Sequence, residues 1–320
     1  MFLHFRSFRV QALAVLACIS LLVLSACGGS GGTASNTTST PNANAGIKLT
    51  VGGKLDVESQ LLTKLYSLVL QHAGFDVTEK DAFGNNTIVF QGITSGQLDL
   101  YPEFTATGLD RLKLTSSLDD KKDYQTIQEK YEQQFKLTWL DYAPLNDTYA
   151  VCAAKSKAGQ LGSNLSDLVG KTNNLTLALP SDSLYVIDSY LKPAYGFTQS
   201  SFKALNKVDY NVGFDEVSGG QADLNFCYST DVGIAQKNLV VLNDDKHAFP
   251  AYHPAPLVRD DTLKRAPNLK DALNKLTPYL TTDVSISLQK KVADDVSAGT
   301  AQARAITKEA TAFLQSKGLI

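Results

Sequence analysis

From about residue 47 to its end, this 320-residue chain alternates short β-patterned runs with amphipathic helical ones, and no other feature restricts its fold as much. Residues 48–52 read as a strand. The run 58–73 carries Leu61, Leu62, Leu65, Leu68, Val69 and His72 at helical spacing, and a strand over 75–79, a helix over 87–95 and a strand over 97–100 follow. The same pattern predicts a helix over 125–135, strands over 137–142 and 149–154, and a second alternating unit from 174–179. After it come helical pieces over 184–195 and 214–219, strands over 223–228 and 239–242, and closing helices over 269–275, 283–296 and 307–317. Alternation of this kind predicts an α/β protein with largely parallel sheets. With 43% hydrophobic residues the chain can bury a core large enough for two lobes.

The first residues are expected to lie outside that fold. Arg6 and Arg9 precede an apolar run over 10–24, and small residues close it at Ser25, Ala26 and Cys27, the layout of a secretory signal. The run is too short for a comfortable membrane span. Leu24-Ser-Ala-Cys27 resembles a bacterial lipobox, which implies cleavage after residue 26 and lipidation of Cys27. More than one acyl chain is what makes such an anchor durable. Residues 28–46 are Gly, Ser, Thr, Asn, Ala and Pro without a charge, a composition expected to form a flexible tether.

Two function classes are already disfavoured. The formal net charge of −2 lacks the basic excess that a nucleic-acid footprint needs. There is no CxxC pair and no metal-type Cys/His spacing, so no cofactor or metal is implied. With Cys18 in the signal and Cys27 as acceptor, Cys152 and Cys227 remain in an exported setting that permits a disulfide. Cys152 is three after Tyr149 and Cys227 one before Tyr228, so on strands both thiols face away from those rings. They are either bridged or two buried thiols acting as small hydrophobes.

Asp99-Leu-Tyr-Pro-Glu-Phe-Thr-Ala-Thr-Gly-Leu109 crowds aromatic rings and carboxylates into a punctuated segment. Pro102 removes a ladder donor, and Thr105, Thr107 and Gly108 suit a strand-to-helix turn, so the segment reads as a binding loop.

Taken together, several motifs resemble the substrate-binding proteins of osmoprotectant (glycine betaine, choline) ABC importers. They are Gly52-Gly-Lys54, the run Gly96–Thr107, Asn146-Asp-Thr-Tyr-Ala150, Tyr228-Ser-Thr-Asp231, the run Val241–Pro256, Leu276–Thr282 and the closing Lys317-Gly-Leu-Ile320. The resemblance spans about 47–320. It implies a two-lobed periplasmic-binding-protein fold of the type with two crossovers, near Asn146 and Phe249. The expected organisation is a signal over 1–26, a linker over 27–46, lobe 1 over 47–145 and 250–320, and lobe 2 over 146–249. It further implies a monomer on the extracytoplasmic side, anchored to the membrane by lipid, that captures a quaternary ammonium compound and hands it to a permease with a cytoplasmic ATPase.

A quaternary ammonium offers no N–H donor, so ring faces, carboxylates and the fit of its methyl groups must hold it. Carried over from the family, the aromatic cage is Phe104, Tyr149, Tyr228 and Tyr252. Asp147 is expected to face the cation, Thr107 and Lys54 a carboxylate tail, and Gln60 or Ser59 takes the place of a family glutamine. Two departures bear on the ligand. Phe104 stands where the family usually has tyrosine, and 181–188 lacks the arginine that many glycine betaine binders use for the ligand carboxylate. The first keeps the π-face and loses one hydrogen bond; the second favours choline, or another cation without a carboxylate, over glycine betaine.

Two other classes compete. An enzyme would use Asp99, Glu103 and Asp147 as acid and base, or His247 with His253, but no nucleophile elbow, HExxH or phosphate loop completes such a site. A sensor of the same fold would bind without transport.

Overall fold

The computed structural model describes residues 43–320. The expected signal, Cys27 and most of the linker lie outside the described residues. The ordered body reaches back past Ile47, because Asn44 donates to the Ala73 carbonyl at 2.8 Å and accepts from Asn268 at 3.0 Å. Among the described residues no helix is long and apolar enough to cross a membrane.

Two five-stranded sheets build the molecule. The first orders its strands β2-β1-β3-β10-β4: β1 Lys48–Gly52, β2 Asp76–Lys80, β3 Leu100–Phe104, β4 Leu137–Trp139 and β10 Pro254–Arg259. The second runs β7-β6-β8-β5-β9: β5 Tyr149–Ala154, β6 Thr176–Leu179, β7 Ala204–Lys207, β8 Leu224–Tyr228 and β9 Leu239–Leu242. The chain passes from the first sheet to the second between β4 and β5 and returns between β9 and β10. Both sheets are mixed rather than largely parallel: β10 is antiparallel to β3 and β4, and β5 is antiparallel to β8 and β9. The strands that follow a passage enter against the direction of their neighbours, and helical periodicity carries no information on that.

The segment 99–109, expected to be a binding loop, is regular secondary structure. Its first half is β3, buried along its whole length, and its second half is a helix, Thr105–Arg111. Pro102 is tolerated in this inner strand through its register. Thr105 N donates to His253 O at 3.0 Å, so the bonded pairs alternate through Glu103/Ala255, and Pro102/Pro256 and Phe104/Pro254 fall at non-bonded pairs. Neither strand asks these prolines for a donor across the β3–β10 ladder. The same register explains how β10, which begins on two prolines, sits inside a sheet.

Helix α1, Val57–His72, packs Leu61, Leu62, Leu65, Tyr66, Val69 and Leu70 into the core. Asp56 caps it by accepting from Ser59 N at 2.7 Å. Just upstream, a Cβ on Gly53 would stand 2.4 Å from both Asp81 O and the Thr63 hydroxyl, so glycine is required where β1 turns into α1. That tight turn delivers Lys54 and, one turn later, Glu58 to the opening between the two sheets.

Candidate functional site

A cleft of about 720 Å³ opens between the sheets. Its second-sheet wall follows from strand pairing. Tyr149 on β5 lies directly opposite Tyr228 on β8, with ring centroids 5.4 Å apart. Alternation along the strands sends Cys152 and Cys227 to the other face, where they are joined as a disulfide with Cα atoms 6.2 Å apart.

Tyr252 arrives from the returning chain segment. Its hydroxyl donates to that of Tyr149 at 2.6 Å, and its ring lies 5.1 Å from Tyr149 and 6.5 Å from Tyr228. The two passing segments are also bonded to each other: Asp147 N donates to Tyr252 O at 3.0 Å, Tyr252 N to Asn146 Oδ1 at 2.8 Å, and the Thr148 hydroxyl to Pro250 O at 2.7 Å. Three expected cage tyrosines therefore converge. Tyr228 and Tyr252 line the cleft, while Tyr149 supports them from behind. Burial pushes the Tyr149 and Tyr252 hydroxyls well above the ordinary phenol range, so both remain neutral donors.

The first-sheet wall carries Phe104, at the junction of β3 and the helix Thr105–Arg111, with Thr107 one turn on. Lys54 lines the same wall, but its ammonium forms an ion pair with the fully buried Glu103 and lies 5.1 Å from the centre of the Phe104 ring. Gln60 turns out of the cleft: its amide donates to Leu55 O at 2.6 Å and accepts from Gln302 at 3.1 Å. Ser59 lines the cleft in its place.

Asp147 and Glu58 meet on the cleft lining. Asp147 accepts from the Thr230 hydroxyl, and Glu58 accepts from Ser285 and, at 3.1 Å, from Gln289 on the helix Thr282–Ser297. Burial raises Glu58 to about 7, and burial with the neighbouring Glu58 charge holds Asp147 well above the usual carboxylate range. Sequence reasoning passed over Glu58. The signal was there, since Glu58 precedes Leu61, Leu62 and Leu65 by three, four and seven residues and so sits on the apolar face of α1. It also passed over Tyr210, whose hydroxyl accepts from Tyr228 N at 3.0 Å, and Tyr185, whose hydroxyl meets that of Tyr149 at 2.5 Å.

The residues of the competing enzyme reading are dispersed. Asp99 accepts from Thr50 N and the Thr262 hydroxyl, each at 2.8 Å, and Glu103 is committed to Lys54. His253 bonds Leu145 O at 2.7 Å and lies 3.2 Å from Asp120, whereas His247 is exposed on a turn with φ 52°.

Comparison with known proteins adds four likenesses. Residues 47–309 match a family profile described as the substrate-binding domain of ABC-type glycine betaine transport systems. The glycine betaine-binding protein YehZ of Escherichia coli (strain K12) is 28% identical over 285 residues, which cover 84% of this chain and 90% of that protein. The ergothioneine transport permease/ergothioneine binding protein EgtU of Helicobacter pylori (strain G27) is 27% identical over 249 residues; the match covers 76% of this chain but only 44% of that longer relative. Among solved structures, one of a glycine betaine/carnitine/choline ABC transporter aligns with a TM-score of 0.74 at 25% identity, over 85% of this chain and 99% of the other.

Proposed function

This chain belongs to the family of substrate-binding domains of ABC-type glycine betaine transport systems, and on that premise we propose that it captures a quaternary ammonium compound between its lobes and delivers it to a permease. The observation that carries the reading is the convergence of Tyr149, Tyr228 and Tyr252 from two strands and a returning segment, with Phe104 on the facing wall. Ring faces are what a cation without N–H donors requires, and each desolvated contact is worth about 0.5–2 kcal/mol. The three rings that line the cleft, Phe104, Tyr228 and Tyr252, supply roughly 1.5–6 kcal/mol, against about 8 kcal/mol for micromolar capture. Closure of the lobes supplies the remainder, and the closed form is the one a permease recognises.

The lobes are taken as 47–145 with 250–320, and 146–249, a division supported by the strand composition of the two sheets. Asp147 faces the ligand cation, and Thr107 contacts the rest of the ligand. The protein acts as an extracytoplasmic monomer, held to the membrane by a lipid on Cys27 and working with a permease and its ATPase. No chemistry is performed on the ligand.

Calorimetric titration with choline, glycine betaine, carnitine and proline betaine, alongside an uncharged amino acid and an inorganic anion, tests the reading. Heat of binding is expected from at least one quaternary ammonium compound and from neither control. Binding confined to the controls rejects it.

A further inference from the structure

Among the described residues lining the cleft, one is basic and four are acidic: Lys54 against Asp56, Glu58, Asp147 and Asp231. The charge of the lysine is already offset by buried Glu103, which pairs with its ammonium. Two of the four carboxylates are committed to the fold. Asp56 caps α1, and Asp231 accepts from the Tyr210 hydroxyl and, at 2.7 Å, from Tyr228 N.

Glu58 and Asp147 differ. Glu58 is 6% exposed; its Oε1 accepts from Ser285 and Gln289, but its Oε2 has no donor among the described residues. Gln289 and Thr230 join it to the Asp147 carboxyl on the same lining: the Gln289 amide donates to Glu58 Oε1 at 3.1 Å and to Thr230 O at 3.4 Å, and the Thr230 hydroxyl donates to Asp147, brought in by the chain passing from one sheet to the other. Two carboxyls joined through one network, Glu58 buried and Asp147 half-buried, cannot both ionise cheaply without a compensating charge, and one proton shared between them supplies the missing donor. The surroundings offer no such compensation. Asp56 from the start of α1 and Asp231 from the second lobe add negative charge, Thr230, Ser285 and Gln289 are neutral, and Lys54 is neutralised by Glu103.

We propose that Glu58 and Asp147 form a shared-proton counter-charge that a captured cation converts into two carboxylates, so that the cleft selects organic monocations over zwitterions that carry a carboxylate of their own. This rests on the quaternary-ammonium reading above and specifies the charge of the ligand. On capture the cation enters, the O–H bond of the shared carboxyl breaks, and the proton leaves to solvent. The pair passes from one negative charge to two while the ligand brings one positive charge. A zwitterion adds a carboxylate to a lining already rich in them and gives no comparable reason for the proton to leave.

The sign of the pH dependence follows. A bound cation favours the ionised pair, so affinity rises with pH through the titration of the free site. With Glu58 raised to about 7, the gain between pH 6 and pH 8 is about tenfold.

The test is isothermal titration of choline and of glycine betaine at pH 6, 7 and 8, each in two buffers of different ionisation enthalpy. Expected are tighter binding of choline, a rise of about tenfold in its affinity across the range, and release of close to one proton at pH 6. Glu58→Gln is expected to abolish both the release and the slope. Choline binding with no proton exchange and a flat pH profile overturns the proposal while leaving the aromatic cage intact, and so does tighter binding of glycine betaine at every pH. Failure of both compounds to bind overturns the cage reading and this proposal together. The proton count is made on the unsubstituted protein and therefore stands whether or not the variant folds.

Discussion

Lys54 holds its ammonium 5.1 Å from the centre of the Phe104 ring and in ion-pair contact with the fully buried carboxylate of Glu103. The same carboxylate accepts from the Tyr101 hydroxyl and from Phe104 N, each at 2.8 Å. A residue that reads in sequence as a ligand contact is thus also a strut that fixes β3 against the start of α1.

Removal of one partner leaves the other charge buried and unpaired, so Glu103→Gln is expected to destabilise the protein by about 3–5 kcal/mol, and Lys54→Met by a comparable amount. The double variant should recover most of the loss. Urea denaturation of the three proteins measures this. A Glu103→Gln midpoint equal to the wild type's would show that the pair has no structural role.

Tyr228 lines the cleft, while the Tyr149 hydroxyl is engaged behind it by those of Tyr252 and Tyr185. Tyr228→Ala is therefore expected to weaken quaternary ammonium binding at least tenfold, or about 1.4 kcal/mol. Tyr149→Phe keeps the ring and loses only the hydroxyl links, so its loss should be smaller. Titration calorimetry on both variants decides the point; full affinity in Tyr228→Ala is incompatible with the cage.

Much of this was legible in the sequence, for reasons that differ from element to element. Strands 149–154 and 239–242 match β5 and β9 residue for residue, because apolar runs with clear breaks at both ends leave little choice of boundary. β10 was missed because Pro254 and Pro256 argue against a strand until the partner's register is known. At the site, parity along two strands was enough to separate the tyrosine face from the cysteine face. The pairing of Lys54 with Glu103 was not readable, since 49 positions separate the two residues and only the fold brings them together. The same holds for Glu58 and Asp147.

The Cys152–Cys227 disulfide, at a sequence separation of 75, links β5 to β8 and closes a loop that contains β6 and β7 of the second sheet. Chain entropy at that loop length predicts a loss of about 4–5 kcal/mol when both cysteines are replaced by alanine. Because the bridge lies on the face opposite Tyr149 and Tyr228, ligand affinity of the folded variant should change by less than about threefold. Urea denaturation and calorimetry on the one double variant test both halves. A large loss of affinity with unchanged stability would reverse the assignment of the two faces.

Glu58 also leaves a signature in folding stability. Its ordinary value of 4.5 rises to about 7 in the folded protein, with burial as the first cause. Between those values the native state binds a proton that the unfolded chain does not, so the stabilisation is fully present below pH 4.5 and is lost as pH rises through 7. The loss from this group is up to about 3 kcal/mol. The neighbouring Asp147 shifts in the same direction and adds to the trend. In the absence of ligand the protein should therefore unfold at lower urea concentration at pH 8 than at pH 5.5, and Glu58→Gln should flatten most of that difference because its amide does not titrate. Saturating choline should flatten it as well, since a bound cation compensates the charge that the folded site otherwise carries alone. Equal pH slopes in the wild type and Glu58→Gln would mean that Glu58 ionises in the folded state as it does in the unfolded chain.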